Sequence, residues 1–277
     1  MPDSPIGKEE NKHGKARVRG IELAYEDVGA GPQVVLLHGY PFNRTMWREQ
    51  VAQLSQNHRV MAPDLRGHGE SEVAPGPATM EDMARDIAGL MDLRRIPRVT
   101  IVGLSMGGYV ALEFCRLFPA RVRALVLADT RAQGDTEEGK QNRAAQAEKA
   151  LAEGMEGIAY AMLPKLLAPE TVAKRPEIVR RVRDMMVQTK PEGAVAALQG
   201  MAQRRDQRPM LSGISAPTLI IVGSEDTLTP HEDSELMHRE IGGSSLKIIE
   251  GAAHVSNIER SEEFNDALLN FLHDNGA

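Results

Sequence analysis

The sequence is poor in cysteine and has no long hydrophobic run. Cys115 is the single cysteine among 277 residues, which excludes an internal disulfide and fits a reducing compartment. No apolar segment reaches the ~20 residues that a membrane-spanning helix needs. The first ten residues also lack the apolar stretch of a signal peptide. We therefore expect a cytoplasmic protein that does not engage a membrane.

An excess of basic residues is missing as well. The 33 Lys and Arg residues face 39 Asp and Glu residues, giving a net charge of −6. Nucleic acids and anionic membranes bind basic surfaces, so neither is an expected partner. The length of 277 residues and the 42% of hydrophobic residues are typical of one large globular domain.

Strand and helix patterns alternate over most of the chain. A hairpin pattern is followed by buried, β-branched runs, and helical patterns separate these runs, which predicts a doubly wound, mostly parallel sheet of eight strands in an α/β fold. The predicted strands are 16–19, 21–27, 33–38, 59–63, 99–102, 122–128, 217–222 and 245–249, and the main helices are 46–54, 80–93, 105–117, 231–241 and 262–273.

The alternation stops between residues 131 and 211. This segment has no convincing strand pattern and contains several amphipathic helical pieces separated by Gly and Pro. We predict an inserted helical cap, or lid, at 131–211, and a core made of 17–130 and 212–277. Residues 1–16 have almost no apolar anchor and are predicted to be a disordered leader.

A G-x-S-x-G motif occupies residues 103–107, between a predicted buried strand and a predicted helix. That context is typical of a nucleophile elbow, in which a tight turn projects a serine away from the backbone. Ser105 is therefore the candidate nucleophile.

A serine nucleophile needs an imidazole base that a carboxylate orients, and in the elbow-containing fold these follow in the order Ser, Asp or Glu, His. Asp226 and His254 follow the last two predicted strands, where open α/β sheets place their sites. Two other acids compete with Asp226: its neighbour Glu225, and Asp129 at the end of the strand after the elbow.

Acyl transfer also needs hydrogen-bond donors for the developing oxyanion. The backbone N–H of Met106, at a helix N-terminus, is one candidate. The N–H of Tyr40, in the loop after the strand at 33–38, is the second candidate, because Gly39 allows close approach there. His38 is expected to brace that loop by hydrogen bonding.

The sequence at residues 64–71 (DLRGHGES) predicts a tight loop. We expect the side chains of Asp64 and Ser71 to form hydrogen bonds with the backbone of this loop. No second cluster of ligands accompanies it, so we predict neither a metal nor a cofactor site. In the predicted cap, Met and Leu residues at helical spacing indicate mainly core packing, with a few facing Ser105 as an apolar acyl pocket.

Together these motifs resemble the α/β-hydrolase superfamily over residues 17–130 and 212–275. Within it, the chain is most similar to the group of carboxylesterases, cofactor-free haloperoxidases (perhydrolases) and 3-oxoadipate enol-lactonases. The resemblance implies a metal-free serine mechanism with Ser105, Asp226 and His254 as triad and with Tyr40 and Met106 as oxyanion donors. Ser105 excludes the branches that use an aspartate nucleophile.

The leading hypothesis is a serine hydrolase that acts on a small carboxylic ester or lactone. The same triad could instead serve perhydrolysis or C–C bond cleavage. A non-catalytic ligand receptor is a hypothesis from another class, and the filled triad positions disfavour it. The sequence predicts neither the particular substrate nor the oligomeric state.

Overall fold

A computed structural model describes residues 12–277, which form one sheet and the helices around it. The strands in this range are β1 (Lys12–Val18), β2 (Ile21–Val28), β3 (Gln33–Leu37), β4 (Arg59–Pro63), β5 (Val99–Leu104), β6 (Val122–Ala128), β7 (Thr218–Gly223) and β8 (Ser245–Ile249). The α-helices are α1 (Arg48–Leu54), α2 (Met80–Leu93), α3 (Met106–Leu117), α4 (Glu137–Leu166), α5 (Pro169–Lys174), α6 (Pro176–Val187), α7 (Pro191–Ala202), α8 (His231–Glu240), α9 (Ser256–Glu259) and α10 (Ser261–Asp274).

The strands form one eight-stranded sheet in the order β1-β2-β4-β3-β5-β6-β7-β8. β1 and β2 pair antiparallel, as do β2 and β4, and the remaining pairs are parallel. Every residue of β5 is buried, as its continuous apolar run predicts for a central strand covered on both faces. The predicted α/β class and the mostly parallel eight-stranded sheet are confirmed.

The first strand begins earlier than the sequence indicates. β1 starts at Lys12 and pairs with β2 in register from Lys12 opposite Asp27 to Val18 opposite Ile21, so the prediction of a leader over 1–16 is wrong for residues 12–16. Side chains from residue 13 to 17 alternate between exposed and partly buried at this sheet edge. Backbone hydrogen bonds rather than apolar anchors hold such an edge, which is why its polar sequence did not reveal it. The rest of the predicted leader, residues 1–11, lies outside the described residues.

The segment between β6 and β7 contains α4, α5, α6 and α7 and, within the described residues, no strand. We refer to residues 131–211 as the helical insertion. α4 packs against both α6 and α7, and Gly154 interrupts it with a φ of 70°, a conformation that glycine adopts without strain. The division of the chain into a core and a separate cap domain stays a prediction.

The helical insertion meets the rest of the chain at closely packed contacts. Gly193 of α7 lies directly against Gly67, and a Cβ atom on Gly193 would overlap the Gly67 carbonyl oxygen. The hydroxyl of Thr189 donates a hydrogen bond to the carbonyl oxygen of Pro41 (2.8 Å). These contacts place the insertion over the loops that follow β3 and β4.

Within residues 12–277, no helix combines the length and the apolar character that crossing a membrane would require.

Candidate active site

Ser105 lies in a strained turn between β5 and α3. Its φ of 54° and ψ of −115° fall in a region that L-residues rarely adopt, so its conformation costs on the order of 1–3 kcal/mol. The two glycines of the motif make the turn possible: a Cβ on Gly103 would overlap the Gly107 carbonyl oxygen, and a Cβ on Gly107 would overlap that of Leu37. Ser105 is partly exposed although its neighbours are buried. The predicted elbow is therefore present in the structure.

Three of the predicted side chains form one hydrogen-bonded chain. His254 Nε2 lies 2.8 Å from Ser105 Oγ, and His254 Nδ1 lies 2.8 Å from Asp226 Oδ2. Because a carboxylate can only accept, Nδ1 carries the proton and Nε2 is left to accept from the serine hydroxyl. The three residues come from the carboxyl ends of β5, β7 and β8, which meet at one edge of the sheet.

Asp226 is held in place by the turn that follows it. Its Oδ1 accepts from the N–H groups of Leu228 (2.8 Å) and Thr229 (3.0 Å), and its Oδ2 accepts from the Thr229 hydroxyl (2.7 Å). Burial alone would raise the pKa of Asp226, but the charge of His254 and these hydrogen bonds lower it below its usual value. Asp226 is therefore ionised at neutral pH.

The pKa of His254 is shifted in the opposite direction, above its usual value. Burial alone would lower its pKa, but the charge of Asp226 and the hydrogen bond to it raise the pKa above 6.5. The imidazole is thus a stronger base than a free histidine, and the geometry directs that basicity towards Ser105.

Neither rival acid is hydrogen-bonded to the imidazole. Glu225 is exposed, because adjacent side chains diverge and Asp226 points inwards. Asp129 is fully buried and accepts hydrogen bonds from Gly223 N–H (2.9 Å) and from the hydroxyl of Ser256 (2.6 Å). Asp226 is the carboxylate that contacts the imidazole.

The loop after β3 lies beside Ser105. A Cβ on Gly39 would come within 3.3 Å of Ser105 Cβ, so the backbone of this loop approaches the serine closely. Among the hydrogen bonds of residues 12–277, none uses Tyr40 N–H or Met106 N–H as donor to a protein group. Met106 is the first residue of α3, where an N–H has no acceptor inside its own helix. Both N–H groups are therefore without a protein acceptor in this part of the chain, and their role as oxyanion donors stays a prediction.

His38 braces this loop as predicted. Its Nδ1 donates to the Gly39 carbonyl (2.9 Å) and its Nε2 accepts from Leu65 N–H (2.9 Å). Burial lowers the pKa of His38 to about 4. Burial and the neighbouring His38 ring lower the pKa of His68 to about 3. Both histidines are neutral at pH 7 and take part in structure rather than in proton transfer.

The loop at residues 64–71 has the predicted internal bonds. Asp64 Oδ2 accepts from Glu70 N–H (2.9 Å), and the Ser71 hydroxyl donates to the Asp64 carbonyl (2.7 Å). Arg66 forms a buried two-point ion pair with Asp86 (2.7 and 2.8 Å). The charged residues of this motif are thus used to build the loop.

Two buried acids near the site were not recognised as supports of the His254 loop. Asp129 entered the sequence analysis only as a rival for the triad. Glu259 accepts from the N–H of Ala253, next to His254 (2.7 Å), and from that of Ala168 in the helical insertion (2.8 Å). No local pattern indicates this role, because Asp129 and Glu259 bond to segments 94 and 91 residues away along the chain.

Within residues 12–277, no group of three or more His, Cys, Asp and Glu side chains has an arrangement that could hold a metal ion. Cys115 is buried on α3, and burial raises the pKa of its thiol to about 12. It is therefore a packing residue and not a thiolate at neutral pH.

This fold and side-chain arrangement define a class. The alpha/beta hydrolase fold family model matches residues 32–261, and the chain belongs to that family of enzymes. The superfamily resemblance inferred from the motifs is thereby confirmed.

Among the proteins that this chain is similar to are enol-lactonases and an esterase. 3-Oxoadipate enol-lactonase 2 of Acinetobacter baylyi is 30% identical over 90% of this chain and 92% of its own length. A thermophilic esterase from Thermogutta terrifontis is 42% identical, with a TM-score of 0.93 over 96% of this chain and all of that one. The enol-lactonase from Burkholderia xenovorans LB400 is 33% identical, with a TM-score of 0.89 over 94% and 100%.

Proposed function

We propose that this enzyme hydrolyses carboxylic esters or lactones through an acyl-enzyme on Ser105. The observation that carries the proposal is the hydrogen-bonded chain from Asp226 through His254 to Ser105, with 2.8 Å at both steps. A serine hydroxyl becomes nucleophilic when an oriented imidazole can take its proton, and that is the relation these three side chains have.

In the acylation half-reaction, Ser105 Oγ attacks the substrate carbonyl carbon while His254 Nε2 takes the hydroxyl proton. The resulting oxyanion accepts hydrogen bonds from the N–H groups of Tyr40 and Met106. The bond from the carbonyl carbon to the leaving oxygen then breaks, and His254 returns its proton to that oxygen. Asp226 stabilises the imidazolium throughout.

In the deacylation half-reaction, water replaces the alcohol. His254 takes a proton from the water, whose oxygen attacks the acyl carbon. The bond from the acyl carbon to Ser105 Oγ then breaks, His254 returns the proton to Oγ, and the acid is released. With a lactone the leaving hydroxyl stays attached to the acyl group, so one hydroxy acid is released. Esters and lactones therefore place the same chemical demands on the triad.

The substrate class is supported by the relatives. Proteins named as esterases and as 3-oxoadipate enol-lactonases align with this chain over nearly its whole length.

We further propose that the helical insertion acts as a cap over the acyl pocket. The side-chain amide of Asn43 donates to Gln188 (3.2 Å), and Thr189 donates to Pro41, so the insertion rests on the loop that carries Tyr40. Apolar residues of the insertion such as Met185 and Met201 are buried, and the proposal predicts that part of this apolar set faces Ser105 as an adaptable wall.

The decisive variant is Ser105→Ala, assayed with p-nitrophenyl acetate. We expect kcat to fall by at least about 10⁴-fold, since within residues 12–277 Ser105 is the hydroxyl that lies on His254 Nε2, whereas Thr229 lies on the Nδ1 side (3.3 Å). A fluorophosphonate probe should label the parent enzyme and not this variant. Ser215→Ala, at an exposed serine before the amino end of β7 and so at the opposite edge of the sheet from the triad, is the matched control and should keep both activity and labelling.

Retention of activity or labelling in Ser105→Ala would refute the assignment of the nucleophile. A comparison of p-nitrophenyl acetate with an unsubstituted five-membered lactone tests the substrate class. Turnover of neither, by an enzyme that the probe still labels, would contradict ester or lactone hydrolysis.

A further inference from the structure

Asp129 is a buried carboxyl group that the proposed mechanism does not use. It follows the last residue of β6, is fully buried, and has a φ of 44° that an aspartate rarely adopts. Its own N–H donates to the Ile221 carbonyl of β7 (2.9 Å), which fixes its backbone against the neighbouring strand. An uncommon backbone conformation and complete burial of a charged residue type together indicate a specific role.

The carboxyl group of Asp129 bonds to two different loops. Oδ1 accepts from the N–H of Gly223, the last residue of β7, three residues before Asp226 (2.9 Å). Oδ2 accepts from the hydroxyl of Ser256 (2.6 Å) and from its N–H (3.3 Å), two residues after His254. One side chain therefore ties the loop that carries the acid of the triad to the loop that carries its base.

The distance between Asp226 and His254 depends on how these two loops lie relative to each other. β7 and β8 pair up to Gly223 and Ile249, and just beyond them the Ser224 and Glu225 N–H groups still donate to carbonyls of the β8 side (3.0 and 2.9 Å). Asp129 adds a side-chain anchor that reaches further, to Ser256 on the far side of His254. Catalytic geometry is sensitive to displacements of about 1 Å, which can cost about 100-fold in rate.

We propose that Asp129 is a positioning residue that holds the Asp226 loop and the His254 loop together through its bonds to Gly223 and Ser256. The inference rests on the proposed function, because it concerns the working geometry of the same triad.

The charges around Asp129 give this role a pH dependence. The groups that act on this cluster are Asp226 after β7, His254 after β8 and Arg131 after β6, which pairs with Asp233 of α8 (3.3 Å). Burial and the charge of Asp226 raise the pKa of Asp129 to about 8. Asp129 is thus mainly protonated at pH 7, and above about pH 8 it adds a negative charge beside the imidazolium that forms during turnover.

The test compares Asp129→Ala, Asp129→Asn and Ser256→Ala with the parent enzyme, with active sites counted by fluorophosphonate titration. For Asp129→Ala we expect kcat per titrated site to fall about 10- to 100-fold while KM changes less than about twofold, because positioning and not binding is lost. Asp129→Asn keeps an acceptor and the shape, and should recover kcat at pH 7 to within about threefold of the parent. Ser256→Ala removes one bond and should lie between the two.

The pH profile separates positioning from mere support of the fold. The parent kcat should rise a second time as the pH passes through about 8, and Asp129→Asn should lack that rise because an amide cannot ionise. Asp27→Asn is the control. Asp27 is also buried, but it lies on β2, four strands away from β6 in the sheet, and it pairs with Arg59 and Arg94. It should lower the melting temperature and leave kcat per titrated site unchanged.

An unchanged kcat per titrated site in both Asp129→Ala and Ser256→Ala would overturn the proposal. So would an Asp129→Asn enzyme that is as slow as Asp129→Ala at every pH. These outcomes differ from a failure of the proposed function. That failure would appear as retained activity in the Ser105→Ala enzyme, or as a parent enzyme that the probe does not label. Should Asp129→Ala fail to fold, Ser256→Ala and Asp129→Asn still decide the matter.

Discussion

Asp129 and Asp226 follow the neighbouring strands β6 and β7, and both are buried. Their surroundings nevertheless shift the pKa values of the two carboxyl groups in opposite directions. Asp226 bonds to His254, and its pKa is lowered. Asp129 bonds to Gly223 and Ser256, and its pKa is raised to about 8. The charge of Asp226 itself contributes to that rise. Two nearby carboxyl groups are thereby separated into one that is ionised and one that is protonated at neutral pH.

This difference shows that burial and position at a strand end do not by themselves assign a catalytic acid. Contact with the cationic partner decides which carboxylate stays charged. The other is left to form neutral hydrogen bonds, and its charge appears only at higher pH. The following predictions test that contrast, from the largest expected effect to the smallest.

The largest effect is expected when the Asp226 carboxylate is neutralised. Asp226→Asn should lower kcat on p-nitrophenyl acetate by about 10⁴-fold, because the imidazole loses the charge and the acceptor that fix its tautomer. Asp129→Asn should lose no more than about threefold in the same assay at pH 7. Equal losses in the two variants would contradict the distinction.

The acid side of the pH profile should respond to Asp226 more than to Asp129. Protonated His254 cannot accept from Ser105, so kcat/KM falls at low pH with a midpoint above 6.5 in the parent enzyme. Removal of the Asp226 charge should move this midpoint down by about 1 pH unit. Asp129→Asn should move it by less than about 0.3 unit, since Asp129 is already protonated there. Residual activity measured between pH 4.5 and 8 checks both shifts.

The stability of the fold should depend on Asp129 with a definite sign. Its folded pKa of about 8 lies above that of an unfolded aspartate, about 3.9. Its contribution is therefore full below about pH 4 and is lost as the pH rises towards 8. The free energy of unfolding of Asp129→Asn, taken relative to that of the parent, should therefore rise by up to about 1.4 kcal/mol per pH unit in this window. Urea unfolding at pH 5, 6, 7 and 8 measures the difference, and a constant difference would show that Asp129 is ionised throughout.

The smallest effect is expected at Glu225, the exposed neighbour of Asp226. Glu225→Gln should change kcat and KM by less than about twofold, because the Glu225 side chain faces solvent and is not hydrogen-bonded to His254 in the described residues. A loss comparable to that of Asp226→Asn would mean that the acid has been misassigned.

Local patterns were sufficient to predict most of this architecture. The buried β-branched runs identified β3 to β7, and the glycines at 103 and 107 identified the elbow, because each signal lies within a few residues. The order Ser105, Asp226, His254 then followed from where the strands end. The edge strand β1 was underestimated at its start, since main-chain pairing leaves little trace in side-chain pattern.

The role proposed for Asp129 was beyond a single sequence for a different reason. Its two partners lie 94 and 127 residues further along the chain, and neither Gly223 nor Ser256 has a residue type that points to a carboxylate. The contact of Glu259 with Ala168 likewise joins distant segments through a backbone N–H. Bonds of this kind depend on how the loops fold over one another, and the linear pattern does not encode that directly.

The facing glycines at 67 and 193 have a consequence for exchanging parts of this enzyme. Because the two backbones touch there without intervening side chains, the seat for the helical insertion is defined by main-chain shape. A foreign helical segment grafted between β6 and β7 needs a glycine at that point and another at position 200, where a Cβ would overlap the Ala78 carbonyl oxygen. Chimaeras that keep these two glycines and the Thr189 bond to Pro41 are a practical route to new substrate ranges on an unaltered core.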